Sequence, residues 1–263
     1  MARRPFLLLG RRRRAAVAVG LVWLLYAVYE TGMKQRWLCS GECNMPGDEL
    51  IAYYTRRAHE YEQVYEKPER QADLARVRTW LRGALAGQRV LEVACGTGYW
   101  TTEVAPVTAA ILATDASPAV LRLAREKPYP RDRVEFELAD AYALAGVPGA
   151  FTAGFAAFWW SHMPRERQPA FLAGLHRRLG AGATVVFVDN RYVTGSSTPI
   201  SRRDEAGNTF QRRLLADESE HEVLKNFSTP AELEATLSPV AHDLNIMEFA
   251  YYWGACYRVA SAT

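Results

Sequence analysis

Apolar residues recur along the chain with two different periods, and the switches between them mark out its elements. From Asp48 onward Leu50, Ile51, Tyr54, Ala58, Tyr61, Val64 and Tyr65 fall at helical spacing, with Arg56, Arg57, Glu60 and Glu62 between them. That spacing predicts one amphipathic helix. After Lys67-Pro68 the series Leu74, Val77, Trp80, Leu81 and Leu85 predicts a second helix, stopped at Gly87. Arg89 to Ala94 is then short, mostly apolar and without helical period. Such a run is expected of a strand covered on both faces.

The alternation repeats. Ala109 to Thr114 reads as a strand, Ser117-Pro118 as a helix start, and Ala119 to Glu126 as the helix. Val134 to Leu138 and Phe151 to Phe158 are strands three and four, and a helix is predicted from Pro164 to Leu179, ended by Gly180. Thr184 to Val188 makes a fifth strand. Thr229-Pro230-Ala231-Glu232 opens a further helix with a capping-box pattern, and Leu244 to Ala250 and Tyr252 to Val259 are the last two strands. Strands alternating with helices predict an α/β fold: a mostly parallel seven-stranded sheet with helices on both faces. One interval breaks the rhythm. Between Asp189 and Phe227, two strand-like runs, Thr209 to Leu215 and His221 to Phe227, flank Ala216-Asp217-Glu218-Ser219. They predict an inserted β-hairpin lid over residues 190–227.

Composition leaves that picture intact. The 263 residues are 49% hydrophobic and 23% charged, which fits one globular domain over 46–263 preceded by an extension over 1–45. The net charge of +3 is owed to Arg3, Arg4 and Arg11 to Arg14. Without them the body is slightly acidic, so charge suggests no nucleic-acid partner. Cys39 and Cys43 have no second Cys or His pair at zinc spacing, and Cys95 and Cys256 sit in apolar runs, so no metal is expected and a reduced, cytoplasmic protein is the natural reading. The extension complicates it. Arg11 to Arg14 precede the apolar run Ala15 to Tyr29, shorter than the roughly 20 residues that span a bilayer comfortably and followed by no cleavage pattern. Membrane contact is expected only through residues 15–29, as an uncleaved anchor or an interfacial helix, unless Met45 opens the native chain.

The chemistry concentrates where the first strand ends, in Val90-Leu91-Glu92-Val93-Ala94-Cys95-Gly96-Thr97-Gly98-Tyr99-Trp100. A Gly-x-Gly turn between strand and helix lets a ligand approach the backbone, and the helix start aims N–H groups at it. A dinucleotide site would add a third glycine, but Tyr99-Trp100-Thr101 follows Gly98. Asp115 stands at the end of the second strand, Asp140-Ala141 at the end of the third and Phe158-Trp159-Trp160 at the end of the fourth, the sheet edge where such folds bind ligands.

Together these residues resemble the class I S-adenosylmethionine-dependent methyltransferases, from about Asp48 to the C-terminus. The resemblance implies a Rossmann-like fold, S-adenosyl-L-methionine as donor and a small-molecule acceptor. It implies that Glu92 and the turn of Ala94, Cys95, Gly96 and Gly98 hold the methionine part, Asp115 with Ala116 the ribose, and Asp140 with Ala141 the adenine. Phe158 and Tyr54 are expected to complete the donor site, and Trp159, Trp160 and Arg191 the acceptor site. Ala94 stands where the family usually has glycine. If the acceptor must lose a proton, His162 or Tyr192 is the candidate base. The same resemblance speaks against export of the domain, because the donor is a cytosolic metabolite.

Plainer roles compete. Asp140 fits an ordinary turn, Asp115 a helix cap, and His162 a satisfied polar position at a helix entry. Tyr54, Tyr61 and Tyr65 share a helical face and fit packing, and the charge-balanced hairpin fits a solvated surface. A nucleotide-dependent oxidoreductase is the enzyme alternative, and a membrane-anchored binding protein the other.

Overall fold

The computed structural model describes residues 46–260 apart from 59 and 131. The apolar run Ala15–Tyr29 and the Cys39 and Cys43 pair lie outside the described residues. Among the described residues no helix is long and apolar enough to cross a membrane.

The chain from Pro46 forms one compact unit. Helix α1 (Pro46–Arg57) and a 3-10 turn over Tyr61–Tyr65 lead into α2 (Gln71–Leu85), and then the alternation begins: β1 (Arg89–Val93), α3 (Tyr99–Val104), β2 (Ala110–Asp115), α4 (Pro118–Glu126), β3 (Val134–Leu138) and β4 (Phe151–Ala157). After 3-10 turns at Trp160–His162 and Arg165–Arg167 come α5 (Gln168–His176), β5 (Leu179–Asn190), a small sheet of β6 (Arg202–Arg203), β7 (Thr209–Leu214) and β8 (Glu220–Leu224), then α6 (Pro230–Leu237), β9 (Ala241–Glu248) and β10 (Tyr252–Val259).

The main sheet has seven strands in the order β3-β2-β1-β4-β5-β10-β9. The first five are parallel, and β10 runs antiparallel to both β5 and β9. Strand β1 shows why a continuous apolar run was needed. Leu91 and Val93 enter one core with Phe171, Leu175 and Trp253, while Val90 enters the other with Leu74, Leu81 and Trp100. Both faces are covered, as a parallel sheet requires. The strand order reverses between β1 and β4, which opens the crevice at their carboxyl ends.

Two helix predictions are corrected in length. The expected helix from Asp48 to Tyr65 leaves α-geometry after Arg57, and the 3-10 turn then redirects Tyr61 and Tyr65 toward the sheet. Apolar spacing alone did not register that break. The helix expected from Pro164 to Leu179 starts at Gln168, with Pro169 in its first turn, and stops at His176. Leu179 already pairs with Phe151 as the start of β5, and the register shifts before Thr184 pairs with Ala153, with Gly182 at φ +67 inside that irregular stretch. The capping box of α6 forms as predicted: the Thr229 hydroxyl accepts from Glu232 N at 3.3 Å, and the Glu232 carboxylate accepts from Thr229 N at 2.7 Å.

The inserted hairpin forms too, with β6 as a third strand. Its base is fastened rather than loose. Asn226 N donates to Ser161 O at 2.7 Å, Asn226 Nδ2 donates to Met163 O at 3.0 Å, and Thr209 N donates to the Asn226 side chain at 2.9 Å. Leu215 and Val223 pack on Tyr53 of α1, so the hairpin and α1 face each other across the crevice.

Candidate active site

One half of the crevice is made of backbone. Cys95 N donates to Thr114 O at 2.9 Å and Gly98 N to Cys95 O at 3.1 Å, which closes the turn between β1 and α3. Ala94, Gly96 and Gly98 all adopt left-handed conformations, with φ of 56°, 57° and 76°. The two glycines serve different ends. A Cβ on Gly98 would lie 2.2 Å from the Tyr129 hydroxyl and 3.2 Å from Ala124 Cβ, so this glycine lets α4 and Tyr129 pack against the turn. A Cβ on Gly96 would meet only the Tyr61 ring edge at 4.0 Å. That side of the turn is open to a ligand, roofed by Tyr61.

Asp115 ties the turn to the next strand. Its carboxylate accepts from Gly96 N and from Ser117 N, each at 2.9 Å. Burial pushes this carboxyl above its ordinary value, opposed by those backbone N–H groups. Each carboxylate oxygen has further acceptor capacity, which suits the hydroxyls of a ribose. Ser117 begins α4 without capping it through its side chain, and instead its hydroxyl bonds Thr55 at 2.8 Å. Ala116 connects Asp115 to that start.

Glu92 is buried at the end of β1, where the Thr101 hydroxyl of α3 donates to it at 2.7 Å. Burial, opposed by that hydrogen bond and reinforced by Asp115, pushes its carboxyl up to about 8. It is therefore mostly protonated at neutral pH, and its partner lies within the fold. Cys95 is buried beside it. Asp140 is exposed, and its Oδ1 accepts from Tyr142 N at 2.6 Å and Ala143 N at 3.2 Å, the pattern of a turn. Ala141 is buried behind it. Trp159 stands against Tyr142, with ring centroids 5.7 Å apart, and its buried Nε1 has no partner among the described residues. A buried indole donor without a partner suits a ligand acceptor atom at this edge.

The other half is made of side chains. A cavity of about 410 Å³ lies between α1, the Tyr61–Tyr65 turn, the carboxyl ends of β4 and β5, and the hairpin. Tyr54 reaches into it and its hydroxyl meets His162 Nε2 at 2.7 Å. His162 Nδ1 lies 2.8 Å from Leu224 O. A carbonyl only accepts, so Nδ1 carries the hydrogen and Nε2 accepts from Tyr54. Burial first, and then Lys225 and Arg213, hold His162 well below the usual imidazole value. It stays neutral.

Lys225 was not anticipated. Its ammonium donates to Ser161 Oγ at 2.6 Å and Asp189 Oδ1 at 3.3 Å, with His162 Nε2 at 3.4 Å. The Lys225 and Asp189 side chains are 6% and 0% exposed, a fully internal ion pair. Burial lowers the lysine to about 8, opposed by Asp189. Arg57 and Arg213 also line the cavity, Arg57 donating to the Tyr53 hydroxyl at 3.1 Å and Arg213 to Gln211 Oε1 at 2.8 Å. The strand period carried the missed signal: Gln211 and Leu215 on the inner face of the hairpin are buried, and Arg213 lies between them. Phe158, at φ 59°, joins Tyr65, Trp100 and Tyr252 in an aromatic group and shows an edge to the cavity.

Three expected contacts lie elsewhere. Trp160 is core, donating to Ser228 Oγ at 3.2 Å and packed on Phe187. Arg191 turns toward β9, donating to Phe249 O at 2.6 Å and pairing with Glu248 at 3.1 Å. Tyr192 is 41% exposed, rests on Phe227, and is not part of the cavity wall.

Residues 90–182 match a family model described as a methyltransferase domain. Among curated proteins no sequence matches the chain. Solved structures do. The complex of DhpI with SAH is 28% identical, with a TM-score of 0.64, covering 82% of this chain and 97% of that one. The complex of DhpI with SAM and HEP is 26% identical, with a TM-score of 0.67 over 82% and 99%. The glycopeptide N-methyltransferase MtfA complexed with (S)-adenosyl-L-homocysteine is 18% identical, with a TM-score of 0.52 over 65% and 83%, a likeness of fold.

Proposed function

For a chain that belongs to the class I S-adenosylmethionine-dependent methyltransferases, we propose that S-adenosyl-L-methionine, the methyl donor of this enzyme, lies along the Gly96 turn while a small-molecule acceptor enters the cavity between α1 and the hairpin. The observation that carries this reading is a shared wall. Tyr61 roofs Gly96 on one side and lines the cavity on the other, so a molecule in the cavity abuts whatever occupies the turn. DhpI, similar over 82% of the chain, forms a complex with SAM and HEP together, which supports room for a donor and a second ligand. The oxidoreductase alternative loses its footing with the methyltransferase match over 90–182.

Methyl transfer from a sulfonium to an oxygen or nitrogen is an in-line displacement, and positioning supplies most of the acceleration. Asp115 and Ala116 would hold the ribose, and the backbone of Ala94 to Gly98 the methionine part. Trp159 and the Asp140-Ala141 turn border the adenine. Tyr54, expected at the donor site, is assigned here to the acceptor side because it lines the cavity, with His162 orienting it through Nε2. The aromatic group around Tyr61 and Phe158 walls the junction of turn and cavity and would exclude water there. A cytoplasmic location follows from the supply of the donor.

The test is to incubate the full chain with methyl-labelled donor and a cell metabolite extract and to identify the labelled compound. A labelled small molecule supports the reading. Label confined to protein or nucleic acid would overturn it.

A further inference from the structure

The walls of the acceptor cavity carry an unusual charge for a protein whose body is near neutral. Arg57, Lys67, Arg70, Arg212, Arg213 and Lys225 line it, against Glu60 as the one lining carboxylate among the described residues. Asp189 sits behind Lys225 and pairs with it. The hairpin's acids lie on its outer side: Glu222 pairs with Arg202 at 2.7 Å, and Glu220 pairs at 3.6 Å with Arg212, the exposed rim cation, which leaves Arg57 and Arg213 as the cations that matter. Arg57 and Arg213 have no carboxylate partner among the described residues. Arg57 makes its hydrogen bond to a phenol and faces the rings of Tyr53 and Tyr61, 5.8 and 5.6 Å from their centroids. Arg213 bonds the Gln211 amide oxygen. Both guanidiniums are half-buried, and each retains donors in a planar fork that matches two oxygens of an anion.

Resting on the methyl-transfer reading, we propose that the acceptor presents an oxyanion, a carboxylate or a phosphoryl group on a small molecule, which Arg57 and Arg213 clamp beside the Tyr54 hydroxyl and which is methylated on oxygen as it binds. The bonding balances without a base. A lone pair on the ionised oxygen forms the O–CH3 bond, the C–S pair leaves with sulfur, and no proton moves. The donor loses its positive charge and the acceptor one negative charge, yielding a methyl ester and a neutral thioether.

The rest of the cavity agrees. A hydroxyl acceptor would require a proton acceptor, and the His162 Nε2 lone pair already takes the Tyr54 hydrogen bond. The neighbouring cations and burial also make that imidazole a weak base. Tyr54 is pushed above its ordinary value by burial and stays a phenol, a donor suited to an anionic oxygen. An amine acceptor would enter as a cation among cations, beside a cationic donor. An oxyanion removes that repulsion, so acceptor and donor should favour each other's binding.

The experiment uses the full chain with methyl-labelled donor and matched panels of small carboxylates, phosphate monoesters and phosphonates, alcohols and amines. Label is expected in a methyl ester, and mild alkali separates the two sources: a carboxylate ester releases labelled methanol, a phosphoryl ester keeps its label. With the best acceptor, Arg213→Gln and Arg57→Gln should each raise KM by about 10- to 100-fold, the loss of one charged hydrogen-bond pair, while donor affinity stays within about twofold. Label in alcohols or amines only, or unchanged KM in both variants, would overturn the oxyanion assignment and leave methyl transfer standing. No donor binding and no labelled product from any panel would overturn the methyl-transfer reading itself, and this inference with it.

Discussion

The two halves of the crevice are built by different means. The half proposed to hold the donor is a local structure: the turn between β1 and α3, with Asp115 on the adjacent strand accepting from Gly96 N at 2.9 Å. The half proposed to take the acceptor draws on segments far apart in the chain. Tyr54 and His162, which share a hydrogen bond, are separated by 108 positions, and Lys225 lies another 63 beyond His162. A site made of backbone tolerates little change in conformation but much in neighbouring side chains. A site made of side chains can be retuned residue by residue while the sheet stays as it is, which is how one fold serves many acceptors.

The comparison breaks most sharply at the internal ion pair. Lys225→Met or Asp189→Ala alone leaves an uncompensated charge where exposure is 6% or less, and each should cost about 3–5 kcal/mol in urea unfolding. The double variant Lys225→Met/Asp189→Ala should lose clearly less than the sum of the two single losses. Additive losses would mean that the pair does not hold the hairpin to β5.

Asp115→Ala comes next, and it should act on the other half alone. Loss of the half-buried carboxylate that organises the turn should weaken donor binding by about 1.5–3 kcal/mol, read by calorimetry, with the acceptor KM little changed at saturating donor.

The halves also differ in their response to pH. Glu92 has its folded value raised from 4.5 to about 8, so its contribution is fully present below about pH 4.5 and is lost as pH rises through 8. Lys225 has its folded value lowered from 10.5 to about 8, so its contribution is present above 10.5 and is lost as pH falls through 8. Glu92→Gln should therefore flatten the fall in stability between pH 5 and 8 and leave the region above pH 9 unchanged, as measured by urea midpoints. A slope between pH 5 and 8 identical to the unsubstituted protein would contradict the buried, protonated carboxyl.

The smallest effect belongs to Ala94. At φ 56° it carries strain that glycine would not, and Ala94→Gly should stabilise the fold by about 1 kcal/mol in thermal unfolding without altering donor affinity.

The same contrast explains what could be read from residues alone. The sheet, the glycine turn and Asp115 were legible because strand runs and a Gly-x-Gly turn are local patterns that the backbone itself requires. The capping box at Thr229 was legible for the same reason. Arg213 was hidden because the hairpin's arginines balance against Asp204-Glu205 and Asp217-Glu218 along the chain, and Arg57 because it falls among the charged positions of an amphipathic helix, whereas the pleat turns Arg213 and Lys225 inward. Arg191 and Tyr192 were expected at the site because they follow β5 at its carboxyl end. The chain instead pairs back onto the β9–β10 turn, with Arg191 N donating to Tyr251 O at 2.9 Å, and carries both side chains off the cavity wall. Asp140 holds its own turn through Oδ1, a local pattern that the residues alone also suggest.

If the two half-sites are separable, one for S-adenosyl-L-methionine and one for the acceptor, substitutions in each should act on its own ligand alone. Calorimetric titration of the donor into the unsubstituted chain, Asp115→Ala and Arg213→Gln tests it most directly. One equivalent should bind to the unsubstituted chain, about tenfold or more weakly to Asp115→Ala, and with affinity within about twofold to Arg213→Gln. Equal weakening in both variants, or normal affinity in Asp115→Ala, would contradict it.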